Sequence, residues 1–142
     1  MGSKLLLALR LAAGAILIGF SLGKFTNHAA EAASFDRYGL PDPSLFAYAI
    51  GTLEASLGVL LVIGLATRIA APVLAGNMVG AIVTGGRVDG GFVNLGIAPT
   101  LLVVMLFLLW AGAGRWSVDG RLRRRLTDRG LTRAEQRRPR RV

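Results

Sequence analysis

Glu54 is the only charge in the 25 residues from Pro43 to Thr67. A charge at the centre of a bilayer costs at least ~2.5–3.5 kcal/mol on insertion scales, so it needs a partner, a proton or a task. A carboxyl there can fix helix register through a buried ion pair, relay a proton, or contact a ligand. At three- and four-residue spacing its helical neighbours are Gly51, Ala55 and Gly58, a small-residue surface that another helix can approach closely. The chain offers it partners. Arg10, Ala13, Gly14, Leu17, Ser21 and Lys24 share one face of the first apolar segment, and Asn77 shares a face of the third with Val73, Gly80, Ala81 and Thr84. The candidate polar cluster is therefore Arg10, Ser21, Lys24, Glu54 and Asn77, with Glu54 and Arg10 as the candidates for contact with a cofactor.

Helical rise sets which cation should meet the acid. Glu54 lies roughly 15 Å from either end of its segment, Arg10 about 7–8 Å from the start of its own, and Lys24 at the far edge. This arithmetic predicts that Arg10 reaches Glu54 if both side chains extend, and that Lys24 needs a water or Ser21 between. Otherwise Glu54 keeps its proton.

Other chemistry is poorly supplied. With no cysteine in 142 residues, disulfides, thiolate metal sites and CxxC redox chemistry are excluded. His28 is the only histidine, which rules out a bis-histidine haem within one chain, and no metal site is expected. No Ser-His-Asp or two-carboxylate arrangement stands out. The glycines around Arg87-Val88-Asp89-Gly90-Gly91 are not followed by Gly-Lys-Ser/Thr, so they form a turn and not a phosphate loop.

The elements that must position these groups follow from the gaps between charges. Ile69 to Gly86 and Gly90 to Gly114 carry none. A bilayer core of ~30 Å needs about 20 apolar residues in a helix. Spans are predicted at about 5–23, 45–65, 69–86 and 95–113. The first tolerates Arg10 because a long side chain can reach back to the headgroups. A cleaved leader is the competing reading, but Ala30-Glu31-Ala32 lies too far beyond Phe20 for a cleavage site. Asn27 is a plausible cap for a short interfacial helix over His28 to Tyr38, stopped by Gly39, with Phe25, Phe35 and Tyr38 at headgroup depth. The fold expected is an all-α membrane four-helix bundle (1–114), with that short helix between spans one and two, and a basic tail (115–142).

The tail holds eleven arginines against three acids, whereas residues 1–114 are nearly balanced. Lys4, Arg10, Arg68 and the tail fall on one side of the membrane, and only Lys24, Arg37 and Arg87 on the other. Both termini are therefore expected in the cytoplasm. Arg121, Arg123, Arg124, Arg125, Arg137, Arg138, Arg140 and Arg141 are the candidates for contact with anionic headgroups at about 1 kcal/mol each, or with an acidic soluble partner. Thr132-Arg-Ala-Glu135 has the form of a capping box. Nucleic acid is not expected, since no aromatic platform accompanies the charges.

Several short motifs resemble the DoxX family of small bacterial membrane proteins. They are Arg10, Gly19-Phe20-Ser21-Leu22-Gly23-Lys24-Phe25, Tyr38-Gly39-Leu40-Pro41-Asp42-Pro43, Gly51-x-x-Glu54, Gly64-Leu65-Ala66-Thr67-Arg68, and Gly112 through Asp119. The resemblance implies four membrane helices and a link to redox physiology: quinone-linked oxidoreductase subunits, or membrane partners of soluble enzymes that handle oxidative and thiol stress. The expected function is thus an accessory or quinone-linked subunit of a redox assembly in the bacterial inner membrane. No cofactor is held permanently by the chain, and a quinone or quinol contacts the polar interior. A small transporter or proton pathway through Glu54, and an anchor recruiting soluble enzymes through the tail, are the alternatives.

Overall fold

The computed structural model describes residues 2–112, 114, 116–122 and 124–127, and among them every regular element is helical. Helix α1 covers Ser3–Thr26, α2 His28–Arg37, α3 Pro43–Ile63, α4 Thr67–Val83 and α5 Gly85–Val88. A π-turn at Val93–Ile97 leads into α6, Ala98–Ala111. Four stretches are long and apolar enough to cross a membrane: Ser3–Thr26, Pro43–Ile63, Thr67–Val88 and Val93–Ala111. Residues 118–122 and 124–127 add helix after the last of them.

The turns obey local chemistry. Helix α3 starts at Asp42, whose carboxylate accepts from the Leu45 N–H, with Pro43 preset for the first turn. It stops at Gly64, left-handed at φ 71°, where the Gly64 and Leu65 amides return to the Leu61 and Leu60 carbonyls. Helix α2 ends the same way, with Gly39 at φ 73° and the Leu40 amide bonded to the Phe35 carbonyl. The third predicted span is interrupted at Thr84, and the short α5 carries the chain onward. The fourth span starts earlier than sequence spacing suggests, because the π-turn adds helical backbone from Val93.

Helix α1 packs most extensively on α3, and α4 on α6. The α1–α3 pair is antiparallel and close because of glycine. A Cβ on Gly14 would lie 2.6 Å from Val62 and 2.8 Å from the Gly58 carbonyl, and one on Gly58 3.2 Å from the Gly14 carbonyl. Packing differs between the two halves of the bundle. Leu61, Ala70, Ala71, Leu74, Met105 and Leu108 are fully buried, and all sit near the α3–α4 hairpin, the end where α1 starts and α6 stops. The opposite end is hollow. Outward-facing Ile69, Val103, Leu106 and Trp110 suit acyl chains and not water.

Candidate functional site

Glu54 is 5% exposed, and its two oxygens are held by two different helices. Lys24 Nζ of α1 lies 2.9 Å from Oε2, and Asn77 Nδ2 of α4 donates to Oε1 at 2.8 Å. Three of the five candidate residues are therefore in direct contact, across three spans. Each carboxylate oxygen keeps a free lone pair, and the Lys24 ammonium and Asn77 amide keep N–H groups beyond those already used. The cluster can both donate to and accept from a ligand.

The cation expected at Glu54 is not the one found there. Gly51 explains the exchange. Its missing Cβ would lie 3.3 Å from Lys24 Cβ, so the lysine stem lies flat on α3 at that level. One turn further in is Glu54, within reach of a lysine without any intermediary. Arg10 pairs with the opposite end of α3: Nε donates to the Leu61 carbonyl at 2.9 Å, and Nη2 to the Val62 and Trp116 carbonyls at 3.3 and 3.4 Å. Leu61 is seven residues past Glu54, roughly 10 Å along the helix axis, which is why Arg10 cannot serve the acid. Ser21 is fully buried, but its hydroxyl is spent on the Ile18 carbonyl of its own helix at 2.7 Å.

Arg10 belongs to a second, structural cluster. Gly64 carries no side chain because a Cβ there would run into the Arg10 guanidinium. Asp119, from the segment after α6, accepts from the Ala66 and Thr67 amides at 2.9 and 3.0 Å, capping α4. Its own amide donates to the Gly64 carbonyl at 3.1 Å. Ala66 sits in the left-handed region at φ 52°, a conformation that an alanine resists and these bonds impose. Sequence reading placed Asp119 within a motif but assigned it no role.

The Lys24–Glu54–Asn77 cluster forms the floor of a cavity of about 540 Å³ in the hollow half. Phe20, Phe35, Phe46, Ile50, Ile97 and Leu101 give it apolar walls. Its roof is α2, which contributes Glu31, Ser34, Phe35 and Tyr38. The π-turn supplies Val93 and Asn94, and π-turns of this kind recur at functional sites. Sequence reading missed Glu31, Phe20, Phe46 and Asn94 as lining residues. A lone acid facing a cavity leaves no periodic signal, so only the helix packing reveals it.

Helix α2 buries none of its residues completely and is fixed at its two ends. At its start, His28 stacks on Tyr48 at a centroid distance of 3.8 Å and sits 2.9 Å from Ser44 Oγ. At its far end, Arg37 pairs with Asp89 at 2.9 Å, and the Tyr38 hydroxyl donates to the same carboxylate at 2.7 Å. Arg37, and then Tyr38, hold the Asp89 carboxyl below its ordinary value of 3.8. Burial and the bond to Asp89 raise the Tyr38 hydroxyl above its ordinary 10.0.

Among the described residues, no group of three His, Cys, Asp or Glu side chains could hold a metal ion. The tail arginines divide. Arg121, Arg124 and Arg125 are exposed on helical backbone. Arg123, Arg137, Arg138, Arg140 and Arg141, with the predicted capping box at Thr132–Glu135, lie outside the described residues.

Comparison with known proteins adds three findings. The DoxX family matches residues 5–87. The chain is 36% identical to an "Uncharacterized membrane protein Rv3486" of Mycobacterium tuberculosis over 143 aligned positions, covering 91% of this chain and 88% of that one. It is 40% identical over 78 residues to a Bacillus subtilis protein named "Putative oxidoreductase CatD", covering 55% and 57% respectively. No solved structure matches.

Proposed function

The chain belongs to the DoxX family of membrane proteins, and from that premise we propose that it is the quinone-binding, accessory subunit of a redox assembly in the bacterial cytoplasmic membrane. One observation carries this reading: an apolar-walled cavity of about 540 Å³ whose floor is a buried Lys24–Glu54–Asn77 cluster. That volume lies within the ~300–1,000 Å³ of small-molecule sites, and so does the pattern of apolar walls with a few convergent polar groups. The name of the Bacillus subtilis relative points toward redox chemistry.

A bound quinone supplies two-electron, two-proton chemistry. The residues of this chain hold and orient it. Lys24 and Asn77 donate hydrogen bonds to a ring oxygen, and Glu54 accepts from the same position when that oxygen carries a proton. Phe20, Phe35 and Phe46 line the cavity and would pack against the ring and exclude water. A soluble enzyme or second membrane subunit would exchange electrons with the quinone at the cavity, and the basic tail would hold the chain to anionic headgroups.

A through-membrane proton or substrate pathway is the weaker reading. The second charged cluster, at Arg10, is separated from Glu54 by the tight Gly14–Gly58 seam, and the packed half of the bundle lies beneath the cavity floor. Polar groups that stop halfway fit a binding pocket better than a conduit.

The test is equilibrium binding of a short-chain naphthoquinone to the protein in nanodiscs. Micromolar binding is expected, weakened at least tenfold in Glu54→Gln and Asn77→Leu. Absence of binding, or equal binding by the variants, overturns the proposal.

A further inference from the structure

The roof of the cavity differs chemically from its floor. Its polar hydrogens are already committed. The Tyr38 hydroxyl donates to Asp89 at 2.7 Å, Ser34 to the Ala30 carbonyl at 3.1 Å, and Thr84, on the cavity wall, to the Gly80 carbonyl at 2.8 Å. The Asn94 amide donates to the Gly90 carbonyl at 3.2 Å and bonds to the Tyr38 side chain. Glu31 is the exception. It lines the cavity, it is partly buried, and its carboxylate has no hydrogen-bond or ion-pair partner among the described residues. Its place in the first turn of α2 favours a negative group, through the exposed amides at that end.

A site with an unspent carboxylate at one end and a donor–acceptor cluster at the other discriminates between redox states. A quinone ring oxygen is an acceptor only. It gains from Lys24 and Asn77 at the floor, but against Glu31 it places lone pair facing lone pair. A quinol hydroxyl is a donor, and a hydrogen bond to an ionised acceptor is among the strong ones. We propose that Glu31 is a specificity-determining residue that makes the cavity a quinol site, binding the reduced form more tightly than the oxidised form. This rests on the quinone reading of the cavity and adds to it a preference between the two forms.

The experiment compares a short-chain naphthoquinone with its quinol, the latter kept reduced under anaerobic conditions, on the full chain in nanodiscs. The parent protein is expected to bind the quinol at least tenfold more tightly than the quinone. Glu31→Gln should lower quinol affinity about tenfold while leaving quinone affinity unchanged or raised, since the lone-pair repulsion goes with the carboxylate. Circular dichroism and retained quinone binding show that the variant is folded. Glu31→Ala should behave alike, separating loss of the carboxylate from any new contact of the amide. Equal affinities in the parent, or equal loss of both ligands in Glu31→Gln, overturns the preference and leaves the quinone site standing. Binding of neither form overturns both readings. Tighter binding of a lipophilic ammonium than of the quinol, abolished by Glu31→Gln, also overturns the proposal by assigning the carboxylate to a cation.

Discussion

At the residue scale, the Lys24–Glu54 pair is the most consequential contact. Both side chains are nearly inaccessible, 12% and 7% exposed, so removing one partner strands the other in a low-dielectric interior. Glu54→Ala or Lys24→Ala alone should cost about 3–5 kcal/mol, the range for breaking a buried pair. The double variant Glu54→Leu with Lys24→Met should recover most of that loss while still failing to bind ligand. Thermal unfolding in detergent, read alongside quinone binding, separates the stability role of the pair from its ligand role. A double variant as unstable as the singles would mean that the ion pair is not the main interaction at this position.

The Asp89 carboxylate makes a pH prediction of definite sign. Its folded pKa lies below the ordinary 3.8, so the clasp between α2 and the α5 turn stabilises the fold fully above 3.8. That contribution falls away as the pH drops through the lower folded value. A distance measurement between spin labels on α2 and α5 should therefore be constant from neutral pH to about 4 and lengthen in stronger acid. In Asp89→Asn the longer distance should already be present at neutral pH. Lengthening that begins well above pH 4 would mean that the Asp89 clasp is not what holds α2.

At the element scale, the α3–α4 hairpin is built by residues that arrive from distant parts of the chain. Arg10 of α1 binds the carbonyls at the end of α3, and Asp119 from beyond α6 caps the start of α4. Asp119→Ala should destabilise the protein by about 1 kcal/mol through loss of the cap alone, with a larger effect if the left-handed Ala66 then relaxes. Gly64→Ala should be much worse, because the added methyl meets the Arg10 guanidinium and the φ of 71° resists any Cβ. Folded yield after detergent extraction orders the two: Asp119→Ala reduced, Gly64→Ala nearly absent.

At the scale of the whole molecule, the bundle is asymmetric along the membrane normal. One half is packed to zero exposure around Leu61, Leu74, Met105 and Leu108, and the other is hollowed around Glu54 and roofed by α2. Four crossings would put residues 2 and 116–127 on one side, and the distribution of lysine and arginine predicts that side to be the cytoplasm. Because the chain has no cysteine, single cysteines report topology cleanly. A cysteine at Gly2 or Thr127 should react with a membrane-impermeant reagent only in inverted vesicles, and one at Asn27 or Gly91 only in intact cells. Labelling of position 27 in inverted vesicles would reverse the orientation and move the cavity to the inner leaflet.

The sequence by itself determined the four spans and the faces on which Lys24, Glu54 and Asn77 lie. Hydrophobic length and helical periodicity are local properties, readable without knowing which helices touch. Legible in the same way was the small-residue surface of α3, since Gly51 and Gly58 flank Glu54 at helical spacing. Pairing was decided only in the tertiary structure. Register along the α1–α3 seam depends on which glycines interlock, and that register gives the acid to Lys24 and sends Arg10 to the hairpin. The roof is likewise a tertiary product, because Glu31 and Asn94 have no common sequence signal and share a cavity only after α2 folds back over the bundle. A cavity is the space that packed helices leave between them, and no residue encodes it alone.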